Sequence, residues 1–112
     1  MKKSYVPKRG DLIWENFSSS KGHEQRGRRP AVVLSPQSYN GKSGMALVVP
    51  VTSKIKDYPF EVVISIDIRT SGVALCDQLR TIDWIGRDVK FIETLPLALV
   101  DDILAKSKVL LE

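Results

Sequence analysis

A chain of 112 residues with 43% hydrophobic content is expected to form one domain, residues 1–112, with a modest core and no separate regulatory module. The formal charge of +4 is unevenly placed: through Pro30 eight basic residues stand against three acidic ones, whereas beyond it nine stand against ten. Positive charge therefore gathers in the first quarter, where it would draw in a polyanion, and the lone Cys76 excludes an intramolecular disulfide.

The opening arm, Met1 to Lys8, is basic but has no apolar stretch behind it, so no secretory signal is expected. No run approaches the ~20 apolar residues of a membrane helix, and the expected setting is the reducing cytoplasm, off the membrane. Leu12 to Phe17, rich in aromatic and β-branched residues, predicts a first strand. A long polar loop follows, and Pro30 to Ser35 reads as a second strand whose near-continuous apolar run suits the centre of a sheet. Pro36 ends it, and Asn40-Gly41-Lys42-Ser43-Gly44 carries dense turn chemistry.

Met45 to Val51 predicts a third strand, with Pro50 near its end pointing to an edge or a bulge. Thr52 to Pro59 forms a second polar, basic loop, and Phe60 to Ile66 a fourth strand. After a turn around Arg69 to Gly72 comes an apolar run from Val73 to Cys76, broken by Asp77-Gln78 and resumed from Leu79 to Ile82. The break reads as a bulge or bend that sets polar groups inside the sheet or at its mouth. Asp83 to Asp88 is a turn and Val89 to Ile92 a last short strand. From Pro96, placed in a first helical turn, the period changes: Val100, Ile103, Leu104, Leu110 and Leu111 fall on one helical stripe suited to packing on the sheet. Trp14, Phe17 and Trp84 read as core or dimer contacts, and Cys76 as a buried small side chain. The pattern describes a small, strongly bent antiparallel sheet or partly open barrel closed by one helix.

Chemistry concentrates in Gly22 to Pro30, where a carboxylate, an imidazole, an amide and three guanidiniums sit between glycines and a proline. One histidine and one cysteine leave no zinc site, and EF-hand and P-loop patterns are absent, so metal-independent, cofactor-free chemistry is expected. Metal-free RNA cleavage fits such a loop. The neighbouring 2′-hydroxyl is the nucleophile, and the protein has only to take its proton, stabilise charge on phosphorus and assist the departing 5′-oxygen. Glu24 can serve as base, Arg29 can hold the non-bridging oxygens through its planar fork, and the Thr52 and Ser53 hydroxyls can bond the phosphate. Composition alone equally allows a solvated loop, an idle His23 and an ordinary strand-to-turn transition at Thr52-Ser53.

Taken in order, Arg9-Gly10-Asp11-Leu12-Ile13-Trp14, Gly22-His23-Glu24-Gln25 with Gly27 and Arg29-Pro30, Val49-Pro50-Val51-Thr52-Ser53, and Gly72-Val73 with Asp77-Gln78-Leu79-Arg80-Thr81-Ile82-Asp83 resemble the MazF/PemK (Kid) family of toxin endoribonucleases. The resemblance spans nearly the whole chain. It implies an SH3-like antiparallel β-barrel with a C-terminal helix, working as a homodimer. Such enzymes cleave single-stranded RNA at short sequences, leave a 2′,3′-cyclic phosphate and a 5′-hydroxyl, and so inhibit translation and growth. By motif, Arg29 and Thr52 match the principal catalytic positions and Glu24 the loop acid, while His23, Gln25, Ser53, Lys56, Asp77 and Gln78 are the candidates for RNA contact. Kid-like members carry an arginine two residues before the aspartate, where this chain has Leu75, which gives more weight to Glu24, Arg29 and Thr52.

The implied partner is an acidic, largely disordered MazE/PemI-like antitoxin, which the N-terminal positive charge suits as well as it suits RNA. A CcdB-like gyrase poison on the same fold is the alternative, but there the C-terminal residues, including a tryptophan, contact gyrase, and this chain ends Val109-Leu110-Leu111-Glu112. A nucleic-acid-binding module without turnover is the third reading.

Overall fold

The computed structural model describes residues 5–16, 28–65 and 71–112. In chain order these form β1 (Asp11–Asn16), β2 (Arg28–Val33), α1 (Gln37–Ser43), β3 (Met45–Thr52), β4 (Glu61–Ser65), β5 (Ser71–Leu75), β6 (Arg80–Asp83), β7 (Lys90–Thr94) and α2 (Leu97–Val109). Every strand pairing is antiparallel, in the order β4-β5-β3-β2-β1-β7, with β6 attached to β3. The expected partly open barrel of SH3 type, closed by a C-terminal helix, is what forms.

Strand alternation explains the core. Leu12, Val32, Val49, Val51 and Ala74 point to one face, where they meet Val100 and Ile103 of α2. Ile13, Ala31, Val33, Ala46, Val48 and Ile82 point to the other, covered by Val89, Tyr5 and Trp84. Because β2 is buried on both faces, it needs apolar residues at successive positions, which is why Ala31 to Leu34 shows no alternation. The second face is concave. Glu15 of β1 is bonded to Arg80 of β6, three strand spacings away in the pairing order, a gap a flat sheet would hold at about 14 Å.

Three expectations are corrected. Asn40 to Gly44 is not a turn but the end of α1, closed by Gly44 at φ 77°, whose N–H donates to the Asn40 carbonyl. This helix is held by tertiary bonds rather than by propensity. The fully buried Asn40 side chain donates to the carbonyls of Pro7 (2.8 Å) and Ser35 (3.1 Å) and accepts from the Ser35 hydroxyl (2.6 Å). Trp84 Nε1 donates to the Asn40 carbonyl at 3.0 Å. Asn40→Ala is therefore expected to destabilise the fold by about 3 kcal/mol, since it strands buried partners; urea unfolding of the variant against the wild type measures this.

Pro50 marks neither an edge nor a bulge, because β3 is flanked on both sides. Its Met45–Val48 portion pairs with β6 and its Val51–Thr52 portion with β5, so Pro50 falls in the gap where β3 changes partner. Likewise Leu79 to Ile82 does not resume the previous strand: Gln78 N–H closes a turn on the Leu75 carbonyl at 3.0 Å, and the chain leaves β5 for the far end of β3 as β6.

The helical stripe is partly borne out. Pro96 caps α2 rather than entering its first turn; Val100 and Ile103 are buried, while Leu110 and Leu111 lie past the last helical residue and are exposed. The inward position after Ile103 is taken by Ser107, whose hydroxyl donates to the Cys76 carbonyl at 3.1 Å. Cys76 is buried as expected, and desolvation pushes its thiol up to about 11, so it carries little thiolate at neutral pH. Among the described residues no helix is long and apolar enough to cross a membrane.

Candidate active site

Register decides where Arg29 and Thr52 stand. Across the β1/β2 ladder Glu15 faces Arg29, and across β2/β3 Ala31 faces Pro50. Carried two residues further, the second register sets Arg29 against Thr52, and directly opposed residues share a face. Both therefore continue the concave face, beyond Ala31 and Pro50, at the end where β2 begins and β3 finishes. Arg29 is exposed there and Thr52 half-buried.

Thr52 is fixed on two sides. Its hydroxyl accepts the Lys54 N–H at 3.2 Å, which turns the chain out of the strand. Behind it β5 approaches so closely that a Cβ on Gly72 would lie 2.3 Å from the Thr52 carbonyl oxygen. Only glycine permits that contact.

A groove of about 380 Å³ opens from Thr52 and is lined by Lys54, Lys56, Tyr58, Glu61, Leu75, Asp77 and Gln78. Four candidates from the sequence, Thr52, Lys56, Asp77 and Gln78, thus line one space, and exposed Ser53 follows Thr52 at its rim. The Glu61 carboxylate accepts the N–H groups of Lys56 (3.2 Å) and Tyr58 (3.4 Å), shaping the loop between β3 and β4. The Tyr58 phenol is pushed up, first by its hydrogen bond to the Asp77 carboxylate and then by that charge. It stays the neutral donor across the physiological range, with its ring exposed beside Phe60 at a centroid distance of 6.0 Å. His23, Glu24 and Gln25 lie outside the described residues.

Sequence reasoning passed over Glu15, which is fully buried although charged. Arg80 Nη2 donates to both its oxygens, at 3.0 and 2.5 Å, and Arg87 Nη1 lies 3.9 Å from Oε1. Parity held the signal: Glu15 stands two residues after Ile13 and so had to point into the same concave face. A larger groove, about 630 Å³, lies at the opposite end of β1, among Tyr5, Lys8, Asp11, Phe91 and Thr94. Its carboxylate, Asp11, is engaged by the Tyr5 hydroxyl, the Lys8 N–H and the Thr94 hydroxyl, and none of the candidate residues lines it.

Residues 8–111 match the family described as PemK-like, MazF-like toxins of type II toxin–antitoxin systems. The chain belongs to this family. The endoribonuclease toxin MazF of Escherichia coli K12 is 59% identical over 83 residues, 74% of each chain. The crystal structure of MazF from Deinococcus radiodurans superposes with a TM-score of 0.85 at 44% identity, covering 96% of this chain and 98% of that one. A chain of a MazE–MazF crystal structure from the same organism gives 0.88 at 42% identity, covering 96% and 97%. Leu75 is half-buried in the groove wall. The concave face carries Arg29 and Arg80, the latter opposite Val48 in the β3/β6 ladder.

Proposed function

We propose that this chain is a metal-independent endoribonuclease toxin that cuts single-stranded RNA at short sequences, stops translation, and is silenced by an acidic MazE-like antitoxin. The observation that carries this reading is the register that brings Arg29 and Thr52 to one end of one face, beside a groove bearing Lys54 and Lys56.

The reaction is an internal transesterification. Glu24 takes the 2′-hydroxyl proton, the 2′-oxygen bonds to phosphorus, and the phosphorus–5′-oxygen bond breaks, the departing oxygen acquiring a proton from solvent. A 2′,3′-cyclic phosphate and a 5′-hydroxyl result. Arg29 supplies two parallel N–H donors to the phosphorane oxygens, and the Thr52 hydroxyl a third. Arg29 stays cationic throughout, so it stabilises charge rather than donating a proton. His23, Gln25, Ser53, Lys56, Asp77 and Gln78 bind the flanking nucleotides. The active form is a homodimer in the cytoplasm, and the basic N-terminal quarter attracts either RNA or the antitoxin's acidic segment.

The test is incubation of the purified chain with a long single-stranded RNA in EDTA, with cut sites mapped by primer extension. Discrete cuts bearing 5′-hydroxyl and cyclic phosphate ends are expected; intact RNA across varied sequences would overturn the assignment.

A further inference from the structure

We infer that Arg80 forms a second phosphate-binding arm beside Arg29, and that the buried Glu15 is the positioning residue that sets it there. This rests on the reading of the chain as an endoribonuclease and adds a subsite for a phosphodiester next to the scissile one.

The placement follows from the ladders. Arg80 is rooted opposite Val48, which itself faces Val33, four residues along β2 from Arg29. Left to its backbone, its side chain would belong about 13 Å from the level of Arg29. Glu15 lies at that level, directly across from Arg29, and both hydrogen bonds it receives from Arg80 leave a single nitrogen, Nη2. The carboxylate thus draws the Arg80 guanidinium along the concave face to the Arg29 end.

Burial indicates which group is anchor and which is arm. Glu15 is fully buried and cannot meet a ligand, whereas the Arg80 side chain keeps 34% of its surface exposed and Arg87 keeps 36%. Successive phosphates of an extended strand call for cations spaced along one surface, and Arg29 with Arg80 provides them.

Glu15→Gln separates positioning from simple charge. It removes an anion from beside the phosphate track, so charge alone predicts tighter RNA binding; loss of the anchor predicts weaker binding. The probes are a single-stranded RNA containing the cut site, for kcat/KM, and the same oligonucleotide with a 2′-deoxy nucleotide at the cut, for Kd. Glu15→Gln and Arg80→Lys are each expected to weaken binding of the deoxy probe and lower kcat/KM about tenfold, the value of one charge-assisted bond. The double variant is expected to be no worse than the weaker single one, because both changes break the same link. Thermal melts identify any variant that fails to fold. Should Glu15→Gln fail, Arg80→Lys decides alone, since it keeps a cation against Glu15 at a partly exposed position. Binding at or above wild-type strength in either folded variant, or losses that multiply in the double, would overturn the inference. If the wild type leaves RNA intact, the nuclease reading falls while the deoxy-probe comparison still decides the role of Arg80.

Discussion

Arg29→Ala is expected to lower single-turnover RNA cleavage by about a thousandfold, the upper end for removing a preorganised donor to a developing oxyanion. The fold should survive. Arg29 is exposed, and its backbone stays in the β1/β2 ladder opposite Glu15 whatever side chain it carries. An exposed substitution of this kind shifts stability by about 0.5 kcal/mol, so circular dichroism melts should show near-native cooperativity. Arg29→Lys should recover only part of the loss, since a lysine ammonium supplies the charge without the planar fork. Cleavage by Arg29→Ala at wild-type rates would remove the guanidinium from the chemistry.

Gly72→Ala is expected to damage stability and activity together. The added methyl would sit 2.3 Å from the Thr52 carbonyl oxygen and 3.2 Å from the Ser53 Cα, and both neighbours are backbone, so no side chain can swing away. Relief requires β5 to move off β3, breaking the pairing of Thr52 with Val73 and displacing the hydroxyl from the Arg29 end of the face. Overpacking of this severity costs about 3 kcal/mol, or roughly 13 °C in Tm for a chain of this size. RNA cleavage assayed well below the lowered Tm should still be depressed, because Thr52 is misplaced even in the molecules that remain folded. Wild-type activity in that variant would show that the position of Thr52 is not critical.

Much of this architecture was legible in the chain. Strand runs announced themselves by apolar content, and the unbroken stretch after Pro30 marked a strand buried on both faces. What the sequence hid was set by contacts distant along it. The helix α1 carries Gly41 in its interior and depends on Asn40 reaching back to Pro7, so local composition reads as a turn. Pro50 sits where β3 exchanges β6 for β5, and no local rule distinguishes such a handover from an edge. Glu15 was overlooked because its partner, Arg80, stands 65 residues away and becomes a neighbour only when the sheet curls. In the site, Thr52, Lys56, Asp77 and Gln78 line one groove. Tyr58 joins them through Asp77, a contact that only the loop folded around Glu61 creates.

The nuclease reading is tested most directly by two RNA oligonucleotides that differ only in a single 2′-deoxy nucleotide on the 5′ side of the cut, each incubated with the wild-type protein in EDTA. The all-ribose strand should be cleaved to a cyclic phosphate, while the substituted strand should bind comparably and remain whole, because the attacking oxygen is missing. Cleavage of the substituted linkage at the same rate would contradict attack by the 2′-hydroxyl, and with it the roles given to Glu24, Arg29 and Thr52.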